Sequence, residues 1–395
     1  MKVKPAIRTE SVQEYYFSAK LRQIDQMRRE GADVISLGIG SPDKPPSENT
    51  IERLAAEARK PNVHGYQSYN GSPALRKALS DWYLKYFHVQ LDPDSEILPL
   101  MGSKEGIMHI SMAFVDPGDE VLVPNPGYPT YSSVTNLVGG KIRYYDLDEE
   151  NGWHPCLKAL EKSDLSKVKL MWTNYPNMPT GARASEQLFS DLVAFSREHG
   201  ILLINDNPYS FILNNDYLSI LAVEGARETV LELNSLSKSH NMAGWRIGMV
   251  AGDRAYIKNI LKVKSNMDSG MFLPLQLAAV EALNNPESWY ETVNEAYAER
   301  RKTAESIMEI LGCTYDKNQS GMFLWGRIPD SIGSCETFVE EILNKALVFI
   351  TPGFIFGSRG ERYIRISLCA ENSRLKEARE RILSFGTDYG FGNIQ

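Results

Sequence analysis

The feature that most constrains this chain is an alternation running from about residue 96 to residue 251. Short apolar runs at 96–100, 120–124, 141–146, 168–173, 201–205, 229–233 and 247–251 are separated by stretches with helical spacing, such as 185–199. Several hold a continuous apolar stretch, such as Ile201-Leu202-Leu203-Ile204. A strand buried on both faces reads this way, because its side chains alternate between two covered sides. Strands interleaved with helices form a mostly parallel sheet layered by helices. The pattern therefore predicts an α/β fold built on a mostly parallel, seven-stranded sheet.

The rhythm changes near Pro286. A long helical stretch at 287–311 is followed by shorter strand patterns at 321–325, 347–351 and 363–368, and by a closing helix at 371–385. This predicts a smaller α+β domain. At the other end, 11–30 reads as an amphipathic helix closed by Gly31, and 33–37 as a short strand. Gly38-Ile39-Gly40-Ser41-Pro42-Asp43 is rich in turn residues. The expected division is a large domain over 46–285 and a small one formed by 1–45 with 286–395.

Composition narrows the function classes. Forty-three Lys and Arg against 50 Asp and Glu give a formal charge of −7, so no basic stripe for nucleic acid is expected. No run approaches the ~18 apolar residues of a membrane span. Residues 1–10 lack the apolar core of a secretory leader. Cys156, Cys313, Cys335 and Cys369 form no CxxC pair, which leaves no zinc knuckle or redox pair and no metal site expected. Free thiols point to a reducing, cytoplasmic setting. Asn70-Gly71-Ser72 fits a glycosylation acceptor, a chance match in a chain that is not exported.

Three elements carry candidate chemistry. Asp206 directly follows an apolar strand in Asp206-Asn207-Pro208-Tyr209. Ligands of parallel sheets bind beyond such carboxyl ends, although an Asp before Pro208 also reads as a turn or cap. Lys238 follows the next strand in Ser235-Leu236-Ser237-Lys238, eight positions before Arg246 in Gly244-Trp245-Arg246-Ile247-Gly248. A lone lysine there reads equally as a solvated surface residue. Among these neighbours it is a candidate imine-forming amine, with Ser235 and Arg246 able to hold a phosphate. Met101-Gly102-Ser103-Lys104 joins a strand to a helix start, where backbone N–H groups bind phosphate, or where a tight turn simply connects the two.

Taken together, these residues resemble the fold-type I aminotransferases dependent on pyridoxal 5′-phosphate, of the aspartate aminotransferase class, over about residues 15–368. The resemblance implies ping-pong transamination between an L-amino acid and a 2-oxo acid. Lys238 is implied as the Schiff-base lysine and proton carrier. Asp206 is implied as the partner of the pyridinium nitrogen, and Tyr209 as the phenol on the ring oxygen. Gly102, Ser103, Lys104, Ser235 and Arg246 match the phosphate site. Tyr128 matches the aromatic stacked on the ring, a core tyrosine in a proline-rich turn being the plainer reading. Arg365 matches the clamp for the substrate α-carboxylate, where a surface ion pair is the alternative. Gly40 matches a glycine whose backbone approaches that carboxylate. Tyr66 resembles the tyrosine that reaches the partner subunit's phosphate, which implies a homodimer with shared sites. Tyr15 lies near a substrate-contacting position.

One departure stands out. In Asn174-Tyr175-Pro176-Asn177-Met178-Pro179-Thr180-Gly181, Met178 occupies the position of the family's asparagine on the ring oxygen. The ring oxygen is then expected to rely on Tyr209, with Asn177 or Asn174 helping. Loss of that donor is expected to raise the pKa of the lysine imine. Within the family, Asn241-Met242-Ala243-Gly244-Trp245-Arg246 and neighbouring stretches look most like the LL-diaminopimelate, aspartate and alanine aminotransferase branch. Some members carry a Glu in the stretch matching 66–71, where this chain has Tyr69 and Asn70; that counts against diaminopimelate. A carbon–sulfur β-lyase on the same fold is the alternative activity.

Overall fold

The computed structural model describes residues 3–10 and 16–388. Its strands in chain order are β1 (Ile35–Ser36), β2 (Ile97–Leu100), β3 (Glu120–Asn125), β4 (Lys141–Asp146), β5 (Val168–Thr173), β6 (Leu202–Asp206), β7 (Val230–Ser235), β8 (Gly248–Gly252), β9 (Phe323–Arg327), β10 (Val348–Phe349), β11 (Thr351–Pro352) and β12 (Tyr363–Ser367). Seven of them form one sheet in the order β2-β8-β7-β6-β5-β3-β4. The β3–β4, β3–β5, β5–β6 and β6–β7 pairs are parallel, and β8 runs against both of its neighbours.

The continuous apolar runs are explained by two cores. Leu202 and Ile204 of β6, Leu231 and Leu233 of β7, and Leu170 and Trp172 of β5 belong to one buried cluster. Leu203, Val230 and Met171, the residues between or beside them, belong to the other. Successive strand side chains point to opposite faces, so both registers must be apolar when helices cover both sides. The covering helices start and stop on local signals. Ser185 caps Glu186–His199 by accepting from the Leu188 N–H, and Gly200 ends that helix with φ +64°. Ser72 caps Pro73–Phe87 in the same way. Among the described residues, no helix is long and apolar enough to cross a membrane.

The C-terminal strands differ from expectation in one instructive way. The run 347–351 is two strands, because the chain changes partner at Ile350. β10 pairs in parallel with β1, whereas β11 joins β12 and β9 in an antiparallel three-stranded sheet. β1 itself covers only two of the five residues expected at 33–37. Just after it, the Ser367 N–H donates to the Leu37 carbonyl and the Ser367 hydroxyl to the Ile39 carbonyl, each at 2.7 Å. Arg300, on the helix Glu287–Ile310, grips both oxygens of Asp43 at 2.7 Å. Segment 37–43 is thereby fixed against the C-terminal sheet, facing the ends of β5, β6 and β7.

Candidate active site

A cavity of about 550 Å³ opens beyond those strand ends. Asp206 is the last residue of β6, Ser235 the last of β7, and Asn174 follows β5. This is where an α/β sheet binds ligands. Asp206 is buried, and its Oδ2 accepts a hydrogen bond from the Tyr131 hydroxyl at 2.9 Å. Tyr131 is held by a stack on Trp172, with ring centroids 4.9 Å apart. Burial pushes the Asp206 pKa up to about 7; the Tyr131 donor works against this, and the buried Glu232 carboxylate adds to it. The second oxygen, Oδ1, is buried without a hydrogen-bond partner. A buried acceptor left this way costs free energy that a cationic N–H would recover. The arrangement fits the protonated ring nitrogen of pyridoxal phosphate.

A second part of the cavity gathers anion donors. The helix Ser103–Phe114 begins there, with Gly102 as its cap at φ +84°. A Cβ on Gly102 would lie 2.1 Å from Arg246 Nη2, so only glycine lets the guanidinium lie over this turn. The Ser235 hydroxyl accepts from the Ser237 N–H at 3.1 Å, and Ser237 Oγ lies 3.5 Å from Arg246 Nη1. Ser103, Lys104, Ser235, Ser237 and Arg246 line the cavity together. Helix-start N–H groups, hydroxyls and a guanidinium are a donor set for a phosphate dianion.

Lys238 lies between these features, on the short helix Leu236–Ser239, and its Nζ donates to the Gly40 carbonyl. Burial pushes its pKa down, and the positive charges of Arg365 and Arg246 add to the effect. A lysine held towards the neutral amine is a nucleophile. Tyr128 meets Tyr131 edge to face at 5.6 Å, and Tyr209 meets Phe323 likewise at 6.0 Å.

Arg365 approaches from β12, opposite Trp325 of β9. Its Nη2 donates to the Gly38 carbonyl at 2.8 Å, and its Nη1 lies 3.2 Å from Met178 Sδ. The guanidinium carbon is 3.9 Å from the Phe323 ring centroid and 4.7 Å from that of Phe356. Gly40 has no room for a side chain, since a Cβ would fall 2.2 Å from the Phe323 ring.

Of the residues singled out in the sequence, Gly40, Ser103, Lys104, Tyr128, Asp206, Tyr209, Ser235, Lys238, Arg246 and Arg365 line this cavity. Gly102 lies directly beneath Arg246. Asn177 is a correction: its carboxamide is turned into its own loop, donating to the Asn174 carbonyl at 3.1 Å and accepting from the Thr180 hydroxyl at 2.8 Å. The cavity wall there is Asn174 and Met178, because Asn174 Oδ1 takes the Met178 N–H at 2.8 Å and turns the loop inward. Tyr66 stands apart from the cavity, 94% exposed, beside His64 and Phe272. Tyr15 lies outside the described residues. Sequence reasoning missed Tyr131, Ser237, Phe17, Leu21, Phe323 and Phe356. The Ser235-Leu236-Ser237-Lys238 stretch was a signal for Ser237, and the spacing of Tyr128 and Tyr131 on one helix start a signal for Tyr131.

The comparisons with known proteins agree with this geometry. The profile of the family "Aminotransferase class I and II" matches residues 32–382. The chain is 44% identical to the LL-diaminopimelate aminotransferase of Desulforudis audaxviator, covering 93% of this chain and 94% of that protein. It is 40% identical to the enzyme of the same name from Aquifex aeolicus, covering 93% and 95%. Among solved structures it is similar to substrate-bound BacF from Bacillus subtilis, at 34% identity and a TM-score of 0.92 over 98% of each chain. The chain belongs to the class I and II aminotransferases, enzymes that use pyridoxal 5′-phosphate to exchange an amino group between an amino acid and a 2-oxo acid.

Proposed function

We propose that this transamination runs in the cavity at the ends of β5, β6 and β7, with the roles the resemblance implies. Lys238 would hold the cofactor through Nζ and would take up the proton leaving the substrate α-carbon. Asp206 would keep the ring nitrogen protonated through Oδ1, and Tyr131 orients that carboxylate through Oδ2. Gly102, Ser103, Lys104, Ser235 and Arg246 hold the phosphate. Tyr128 would cover the ring, and Tyr209 would donate to the ring oxygen. Arg365 binds the α-carboxylate bidentately, with the Gly40 backbone beside it. When bound, the cofactor supplies an electron sink that makes the substrate α-proton acidic. The observation that carries the reading is the buried, partnerless Asp206 Oδ1 in the same cavity as a lysine whose pKa is pushed down.

The exposed Tyr66 supports a homodimer in which it reaches the partner's phosphate. A two-domain division at 46–285 against 1–45 with 286–395 suits the position of Arg365 on the C-terminal sheet. A cytoplasmic location suits four free cysteines. The test is the absorption spectrum of purified protein before and after single additions of amino donors. Loss of the cofactor band with one donor, restored by a 2-oxo acid, supports the reading. Release of ammonia and pyruvate with no aminated cofactor would replace transamination by β-elimination. No band even after adding pyridoxal phosphate overturns the roles of Lys238 and Asp206.

A further inference from the structure

Few charged side chains line the cavity. Among the described lining residues the charged side chains are Lys104, Asp206, Lys238, Arg246 and Arg365. Each already serves the cofactor or the α-carboxylate in the reading above, on which this inference rests. Phe17, Leu21, Ile39, Met178, Phe323 and Phe356 line the cavity as well, and of these Phe17, Met178, Phe323 and Phe356 lie against Arg365. Phe17 and Leu21 are four residues apart on the helix Tyr16–Arg29, so they share one face, and that face is turned to the cavity. The Phe17 ring centroid is 5.7 Å from the Arg365 guanidinium carbon. A substrate clamped by Arg365 therefore has this face beside it.

We infer that the amino donor carries an apolar side chain, aliphatic or aromatic, seated against Phe17, Leu21 and Ile39, and that Phe17 and Leu21 are specificity-determining residues. A second ammonium or carboxylate on the donor would lose water against this wall and meet no opposite charge among its described residues. LL-diaminopimelate, the substrate in the relatives' name, carries both groups at its far end. An apolar side chain loses nothing there and removes its own surface from water.

The test uses the holoenzyme with a fixed 2-oxo acid. The expected result is a kcat/KM for L-phenylalanine or L-leucine at least about tenfold above those for LL-diaminopimelate and L-aspartate, the discrimination a hydrophobic pocket can supply. Equal or faster reaction of LL-diaminopimelate or L-aspartate overturns the inference and leaves the transaminase reading standing. Binding supplies a readout independent of turnover. Dissociation constants for 3-phenylpropionate and glutarate, followed by the cofactor's absorbance, should favour 3-phenylpropionate by about tenfold or more. That preference in a protein that turns over no donor would sustain the apolar wall and break the transaminase reading instead; tighter glutarate binding breaks the inference. In Leu21→Glu, the ratio of kcat/KM for L-phenylalanine to that for L-alanine should fall about tenfold. An unchanged ratio removes Leu21 from the assignment.

Discussion

The two ends of the cavity are built on different physics. At the Asp206 end, polar groups sit on the last residues of parallel strands and on helix starts, each held by short-range contacts. Tyr131 fixes Asp206, Gly102 admits Arg246, and Ser235 takes the N–H of Ser237. At the Arg365 end, one guanidinium is enclosed by Phe323, Phe356, Phe17 and the Met178 thioether, which arrive from four separate parts of the chain. The first end defines a chemistry and the second a preference. Faults at the first should stop the reaction; faults at the second should redirect or retune it.

The largest effect is expected at Lys238. Lys238→Ala should lower turnover by at least about 10⁴-fold, as removal of a covalent catalytic group does, while cofactor binding persists in part. An alanine variant with substantial turnover would falsify the division between the two ends. Next comes Asp206→Ala, expected to cost on the order of 10³-fold, comparable with loss of a preorganised electrostatic partner. Stability should respond to the same residue. In cofactor-free protein the folded Asp206 pKa is raised above its unfolded value, so the folded state holds its proton longer. Stability is then lost as pH rises from 3.8 to about 7, and Asp206→Asn should flatten that part of the Tm–pH curve. A Tm of wild-type protein that rises relative to Asp206→Asn over this window would reverse the sign argued here.

At the other end, Arg365→Lys should cost about 10²-fold in kcat/KM, mainly through KM, because an ammonium cannot replace the planar fork. The same loss for all α-amino acids marks a carboxylate clamp. A loss confined to donors with charged side chains would place Arg365 at the far end of the substrate and collapse the distinction.

The same division explains what was legible in the sequence. The parallel sheet could be read because two cores demand apolar residues on both faces of β5, β6 and β7, which leaves continuous apolar stretches such as Leu202-Leu203-Ile204. The Asp206 end could be read because its residues close or follow apolar strand runs, as Asp206 closes the run that begins Ile201-Leu202-Leu203-Ile204. Phe17, Leu21, Phe323 and Phe356 carry no such local mark. An aromatic residue that lines a cavity looks, in sequence, like one that fills a core, and only the packing of 37–43 against β12 brings these together. Asn177 was misjudged for a related reason. Asn174 and Asn177 are chemically alike, and a hydrogen bond from Asn177 to the Asn174 carbonyl decides which one faces the cavity.

Met178 sits where the two ends meet. Its sulfur lies 3.2 Å from Arg365 Nη1, and a thioether accepts hydrogen bonds weakly and donates none. An asparagine at this position would offer a carbonyl to the guanidinium and an amide N–H to the cofactor's ring oxygen. That N–H would compete with the lysine imine's proton for the oxygen, so the protonated imine would be less favoured. Met178→Asn is therefore expected to lower the imine pKa by about one unit, worth about 1.4 kcal/mol, the smallest of these effects. The pH dependence of the cofactor's visible band reads it directly. A downward shift makes Met178 the residue through which the apolar end sets protonation at the polar end. An unchanged or higher pKa means that Tyr209 already satisfies the ring oxygen, and the two ends then act independently.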